Sequence, residues 1–318
     1  MPDRRSPQPR VRRIVAASTV AAAVVTVVLL AALGAFSGPG AQAVGGVGAG
    51  TPPPRYYVSL GDSYAIGYQP TPSPGPTPGY TVLVARRTGM SLVNFGCGGA
   101  TSTSILETKG CAPPEGIPAG EDVAHYPHET QAAAAEAFIR RHRGHIGLIT
   151  VSIGGNDVTQ CAAAADPTSC VLSAVPLVRK HVTALAKGLR RAAGPKVPII
   201  GLSYPDVILG SWVYPAGHGD PALASLSVTA FKDLFNPALA KAYRAGGASF
   251  VDVTKDTGGY VPLAETTSLA HYGTVPVAVA SVCRLTWSCT QGNIHANSAG
   301  YRLIGREILA RYQALRRR

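Results

Sequence analysis

Tyr56-Tyr57-Val58-Ser59-Leu60-Gly61-Asp62-Ser63-Tyr64 begins as a short apolar run and stops at a Gly-Asp-Ser turn. The run predicts a buried strand over 56–60. The turn then carries the Ser63 hydroxyl to the strand's carboxyl end, where open α/β sheets place their chemistry. Working outward, apolar runs at 91–94, 148–153, 197–202 and 249–251 read as further strands, separated by helical stretches such as 130–143, 171–193 and 221–245. That alternation is a βαβ series, and right-handed crossovers fold it into a three-layer α/β/α sandwich on a five-stranded parallel sheet. Two stretches fall outside it. Residues 70–78, with proline at every second position, are expected as an extended surface loop. The irregular stretch 204–220, with Tyr204, Trp212 and Tyr214, either lines an apolar pocket or forms a satellite core.

A serine hydroxyl is inert at neutral pH unless a base lies within hydrogen-bond reach, and attack on a carbonyl also needs donors for the oxyanion. Among eight histidines, His295 in Asn293-Ile294-His295-Ala296-Asn297 is the best candidate base, because a polar turn ahead of the helix-like 298–315 carries it. His125/His128 and His142/His145 are spaced i,i+3, but no third ligand of suitable type accompanies them, so they are assigned no metal. Three donors are available. Asn156 follows the 148–153 strand and a Gly154-Gly155 pair that lets the backbone turn sharply. Gly99, in Asn94-Phe95-Gly96-Cys97-Gly98-Gly99-Ala100-Thr101, exposes its backbone N–H after the 91–94 strand, and the N–H of Ser63 is the third. The nucleophile elbow Gly-x-Ser-x-Gly of the α/β-hydrolase architecture occurs nowhere in the chain.

In chain order these segments supply Ser63, Gly99, Asn156 and His295. Together they resemble the four sequence blocks of the SGNH (GDSL-type) hydrolases from about residue 55 to the C-terminus, most nearly the secreted actinobacterial lipases and esterases. The resemblance implies a flavodoxin-like sandwich and an acyl-enzyme mechanism with no metal and no organic cofactor. Ser63 attacks, His295 is base and then acid, and Ser63 N–H, Gly99 N–H and Asn156 Nδ2 hold the oxyanion. Lipid or other acyl esters are the first expected substrates and polysaccharide O-acetyl groups the second. A non-catalytic binding module on the same fold is the reading from another class, and the complete Ser/Gly/Asn/His set speaks against it. One family part is missing. The pattern has aspartate three residues before the histidine; here Gly292 stands there, and no Asp or Glu lies between Glu265 and His295. Some family members use a main-chain carbonyl instead, which makes the Gly292 C=O the expected orienting group, with Asp252 as a remote carboxylate alternative. A neutral acceptor leaves the imidazole with an expected pKa of ~6–7.

The chain has 318 residues, 46% hydrophobic and 14% charged. Residues 1–43 read as an export signal or membrane anchor: an Arg-rich start, an uncharged apolar run over 14–36, and Ala41-Gln42-Ala43 as a cleavage site. Residues 44–54 are a Gly/Pro-rich linker, and 55–318 suffice for one well-buried hydrolase domain. The catalytic part is therefore expected outside the cytoplasm, secreted or anchored. Six cysteines in three close pairs suit that compartment. Fifteen connectivities exist; sequential pairing, Cys97–Cys111, Cys161–Cys170 and Cys283–Cys289, is the simplest and is what the family resemblance implies. The formal charge of +12 falls to +8 without residues 1–43, which carry five Arg and one Asp. A basic surface suits contact with anionic membrane lipid or cell-wall polymers. No basic-aromatic module points to nucleic acid.

Overall fold

A computed structural model describes residues 55–70, 78–117 and 123–317. The expected export segment, the linker and most of the Pro-rich loop lie outside the described residues. The elements in order are β1 (Tyr56–Gly61), α1 (Tyr80–Thr88), β2 (Ser91–Asn94), α2 (Ser104–Glu107), α3 (Gln131–Arg141), β3 (Ile146–Ser152), α4 (Gly155–Thr159), α5 (Pro167–Ala193), β4 (Ile199–Leu202), α6 (Pro221–Thr229), α7 (Asn236–Ala245), β5 (Ser249–Val251), α8 (Val253–Asp256), β6 (Thr266–Leu269), β7 (Gly273–Pro276), α9 (Val277–Leu285), α10 (Ser288–Gln291) and α11 (Ser298–Arg316). The first five strands form one parallel sheet in the order β2-β1-β3-β4-β5. Helices α3, α5 and α7 pack together as one flanking layer, and α1 with α11 as the other. This is the three-layer sandwich expected from the alternation.

Register explains why the site forms where it does. Gly61 pairs with Ser152, and Ser152 with Leu202, so neighbouring strands end side by side and their following turns share one edge. Every residue of β3 is buried, as befits a central strand covered on both faces. Leu148 and Ile149 of β3 are fully buried, each worth roughly 1.5–3 kcal/mol of apolar burial, and so is Tyr57 of β1. The Tyr57 hydroxyl is satisfied by Thr150 Oγ1 at 2.7 Å.

Helix boundaries follow local chemistry. Asp166 accepts from the Ser169 N–H and Pro167 opens α5, so that helix starts earlier than its apolar pattern indicates. The stretch 221–245, expected as one helix, is divided into α6, a π-helical turn over Ala230–Phe235, and α7. Pro237 in the first turn of α7 accompanies the division: it has no N–H to donate to the preceding turn, and here the helix takes up the missing bond with a π-helical turn. The β6–β7 hairpin was not expected, since Thr266-Thr267-Ser268-Leu269 shows no apolar alternation. Trp212 packs on a second cluster containing Leu209, Val275 and Val279, which makes that part of 204–220 a satellite core. The three disulfides pair sequentially, with Cα–Cα distances of 5.6, 5.5 and 5.2 Å inside the range a disulfide spans. Among the described residues no helix is long and apolar enough to cross a membrane, and no group of three or more His, Cys, Asp or Glu is placed to hold a metal.

Candidate active site

The Gly61-Asp62-Ser63 turn is clamped before it reaches Ser63. Gly61 has φ +139°, and a Cβ there would run into the Ser152 carbonyl, so only glycine fits. Gln131 of α3 holds this residue from both sides: its Oε1 accepts from Gly61 N–H at 2.6 Å and its Nε2 donates to Gly61 O at 3.0 Å. Cys97 N–H donates to the same carbonyl. Asp62 is buried, accepting from Tyr64 N–H at 2.9 Å and from the Tyr204 hydroxyl at 2.6 Å. Burial pushes its carboxyl up to about 7, against the pull of the Tyr204 hydrogen bond. Asp62 braces the turn, then, while Ser63 projects from it.

Ser63 Oγ lies 2.7 Å from His295 Nε2. The histidine loop is held by a Thr286–Ala296 bridge, by Trp287 N–H on His295 O, and by the Tyr64 hydroxyl on Ile294 O at 2.8 Å. On its other side, His295 Nδ1 lies 2.7 Å from Asn293 Oδ1, and that oxygen also accepts the His295 backbone N–H at 3.1 Å. A backbone N–H can only donate, so the Asn293 atom is the carbonyl oxygen. Nδ1 therefore carries the proton, and the Nε2 lone pair faces Ser63.

The expected acceptor at this position, the Gly292 carbonyl, is displaced. Gly292 caps α10 in the left-handed region, and the Asn293 side chain folds back in an Asx turn that reaches Nδ1 first. Asp252 is elsewhere: it caps α8 and accepts from Lys255 N–H, Asn236 Nδ2, the Tyr260 hydroxyl and Ser203 Oγ. The imidazole also departs from its expected ordinary pKa. His295 is 4% exposed, between the rings of Tyr64 and Tyr68, and burial lowers its pKa to about 4.

Of the three expected donors, Ser63 and Asn156 line one recess, and Gly99 lines another with Cys97, Ala100 and Pro114. Thr159, Tyr204, Val207 and Ile294 complete the first recess. Gly155 admits this packing because a Cβ there would meet the Tyr204 ring at 2.8 Å. One Asn156 Nδ2 hydrogen is donated to Ala100 O at 2.8 Å, which joins the amide to the residue after Gly99 and leaves its second hydrogen for a ligand. The adjacent Asp157 takes Ser102 N–H at 2.8 Å and Ser102 Oγ at 2.7 Å, pinning the same loop. Among the described residues, neither Ser63 N–H nor Gly99 N–H has a protein acceptor. The arrangement presents an unspent hydroxyl, a neutral base and free N–H groups, the requirements of acyl transfer.

The sequence profile of the GDSL-like lipase/acylhydrolase family matches residues 59–303. The chain belongs to that family. It is a serine ester hydrolase by that membership. No curated protein matches it in sequence. Solved structures similar to it include phospholipase A1 from Streptomyces albidoflavus NA297, at 17% identity and TM-score 0.41 over 72% of this chain and 95% of that one. An extracellular lipase from Streptomyces rimosus is 19% identical, TM-score 0.38, over 72% and 98%. The acetyl xylan esterase AlAXEase is 13% identical, TM-score 0.43, over 80% and 98%.

Asn293, Gln131 and Asp157 are the residues of this site that motif reading did not assign. For Asn293 a signal existed: asparagine two residues before the histidine is the spacing of an Asx turn. Gln131 carries no comparable signal, because its partner lies 70 residues away. His142, left without a function, packs its ring on Phe138 and Tyr56.

Proposed function

We infer that the chain is an exported carboxylic-ester hydrolase working through Ser63, His295 and an acyl-enzyme, with lipid or other acyl esters as substrates. The observation that carries this reading is the 2.7 Å approach of His295 Nε2 to Ser63 Oγ. Ser63 Oγ attacks the ester carbonyl as Nε2 takes its proton. Ser63 N–H, Gly99 N–H and Asn156 Nδ2 receive the oxyanion. Collapse of the tetrahedral intermediate expels the alcohol, which takes its proton from Nε2. Water, deprotonated by the same nitrogen, then releases the acid and restores Ser63. Asn293 Oδ1 holds Nδ1–H throughout, a neutral acceptor in the role that aspartate has in the family pattern. Export is supported by three disulfides together with the Arg-rich, apolar N-terminal sequence.

The test is turnover by purified Ser63→Ala. A loss of roughly 10³-fold or more, with an unchanged circular dichroism spectrum, is the expected result. Near-normal turnover by that variant would rule the nucleophile out.

A further inference from the structure

The edge of the sheet opposite Ser63 carries a charge pattern that ester hydrolysis does not use. In a parallel sheet each crossover helix ends where the next strand begins, so α1, α3, α5 and α7 all end at the edge where β2, β3, β4 and β5 start. Helices α1, α3 and α5 each carry two arginines in the last turn, and α7 carries Arg244. Arg143 and Lys196 follow in the turns, and Arg55 precedes β1. No Asp or Glu lies in the segments 85–91, 138–146, 190–199 and 242–249 that turn the chain at this edge. The carboxylates sit at the other edge: Asp62, Asp157, Asp206 and Asp252 follow the carboxyl ends of β1, β3, β4 and β5.

Hydrogen bonds join these ends into one strip. Tyr56 N–H donates to His145 O and Ser91 N–H to Arg55 O, which links the starts of β1, β2 and β3. The Arg143 guanidinium donates to Arg191 O at 3.2 Å and to Ala192 O at 3.1 Å, linking the end of α3 to that of α5. Arg190 donates to Gly247 O at 2.8 Å, linking α5 to the turn after α7. Those two guanidiniums are occupied by backbone carbonyls, and Arg140 pairs with Glu136. Arg86, Arg87, Arg141, Arg191 and Arg244 are exposed, and among the described residues their side chains make no hydrogen bond or ion pair. A helix dipole favours a cation at its carboxyl end, but like charges gathered along one edge without counter-charges repel each other, and an anionic surface outside the chain relieves that repulsion.

We propose that this strip docks the domain on a membrane that carries anionic phospholipid, with the Ser63 edge turned away from the bilayer. Guanidinium groups meet phosphate headgroups through charge-assisted hydrogen bonds, and several of them near a surface act together. The chain's own course favours a bilayer over a soluble polyanion. It enters the domain within the strip, at Arg55, after a Gly/Pro-rich linker and an uncharged apolar run over 14–36, long enough in sequence to span a bilayer. Docking by this edge is independent of the catalytic reading, and it has esters reach Ser63 from the side away from the lipid that holds the protein.

The experiment maps arginine reactivity toward phenylglyoxal on the full chain, with vesicles of phosphatidylcholine alone or of phosphatidylcholine and phosphatidylglycerol in equal parts, and reads each adduct by peptide mass spectrometry. The neutral vesicles set the baseline for whatever the apolar run does. Anionic vesicles should slow modification of Arg86, Arg87, Arg141, Arg191 and Arg244 by about tenfold, an effect that disappears in about 1 M salt, where the screening length is ~3 Å. Arg179 in the middle of α5 and Arg284 on α9, whose carbonyl holds Asn297 beside the His295 loop, should react equally on both. Arg87→Glu combined with Arg141→Glu should abolish the protection of Arg86, Arg191 and Arg244 with an unchanged circular dichroism spectrum. Equal reactivity on the two kinds of vesicle, protection that extends to Arg179 and Arg284, or protection that survives both reversals would overturn the proposal. So would protection by soluble polyphosphate and not by anionic vesicles, which makes a different polyanion the occupant. None of these outcomes bears on ester hydrolysis, which Ser63→Ala tests separately.

Discussion

The Ser63 turn and the His295 loop meet at 2.7 Å but are built in opposite ways. Ser63 stands two residues beyond a central strand, on a turn gripped by Gln131, Cys97 and Tyr204 from three other elements. His295 arrives on an irregular loop whose side-chain geometry is set almost locally, by Asn293 two residues before it, with Tyr64 as the long-range tie. Groups that follow a strand end inherit the precision of the sheet. Groups on a loop must carry their own orienting device, and here that device is a neutral amide.

Breaking the sheet-borne half should have the larger effect. Asn156→Ala removes a donor at the oxyanion position and should lower kcat by about 10²–10³ with little change in KM, because the interaction matters chiefly in the transition state. The same amide holds Ala100 O, so Asn156→Asp should fare no better: a carboxylate can donate to neither. A change confined to KM would make Asn156 a substrate-positioning group instead.

The loop-borne half offers a sharper comparison. Asn293→Ala frees the imidazole to adopt the wrong tautomer and should cost roughly 10–100-fold in kcat, within the ~10²–10⁴ that general base catalysis supplies. Burial lowers the His295 pKa to about 4, and the base works only when unprotonated. Wild-type kcat/KM should therefore hold as pH falls through 6 and decline only at more acid pH. Asn293→Asp places a carboxylate on Nδ1, stabilises the imidazolium, raises that pKa and moves the acid limb to higher pH. An unmoved limb in Asn293→Asp would separate Asn293 from the base.

The same contrast governs how much could be read from sequence. The strands at 56–60 and 148–153 announce themselves by apolar runs ended by glycine turns, and Ser63, Gly99 and Asn156 follow from their places after such runs. Pairing of Cys283 with Cys289 and of the other two cysteine pairs was legible because each pair is close in sequence. Side-chain reach was not. A search for aspartate at a fixed spacing led to the Gly292 carbonyl, whereas Asn293 bends back through an Asx turn to the same nitrogen. The helical stretch 221–245 was legible from its pattern, whereas the π-helical turn over Ala230–Phe235 inside it carries no signal in the apolar periodicity.

The central claim is that His295 makes Ser63 nucleophilic. It is tested most directly by treating the protein with a fluorophosphonate, mapping the adduct by peptide mass spectrometry, and comparing labelling rates of wild type and His295→Ala. The prediction is a single adduct on Ser63 that forms at least ~10²-fold more slowly in His295→Ala. An adduct on another serine, or equal labelling rates in the two proteins, would contradict it.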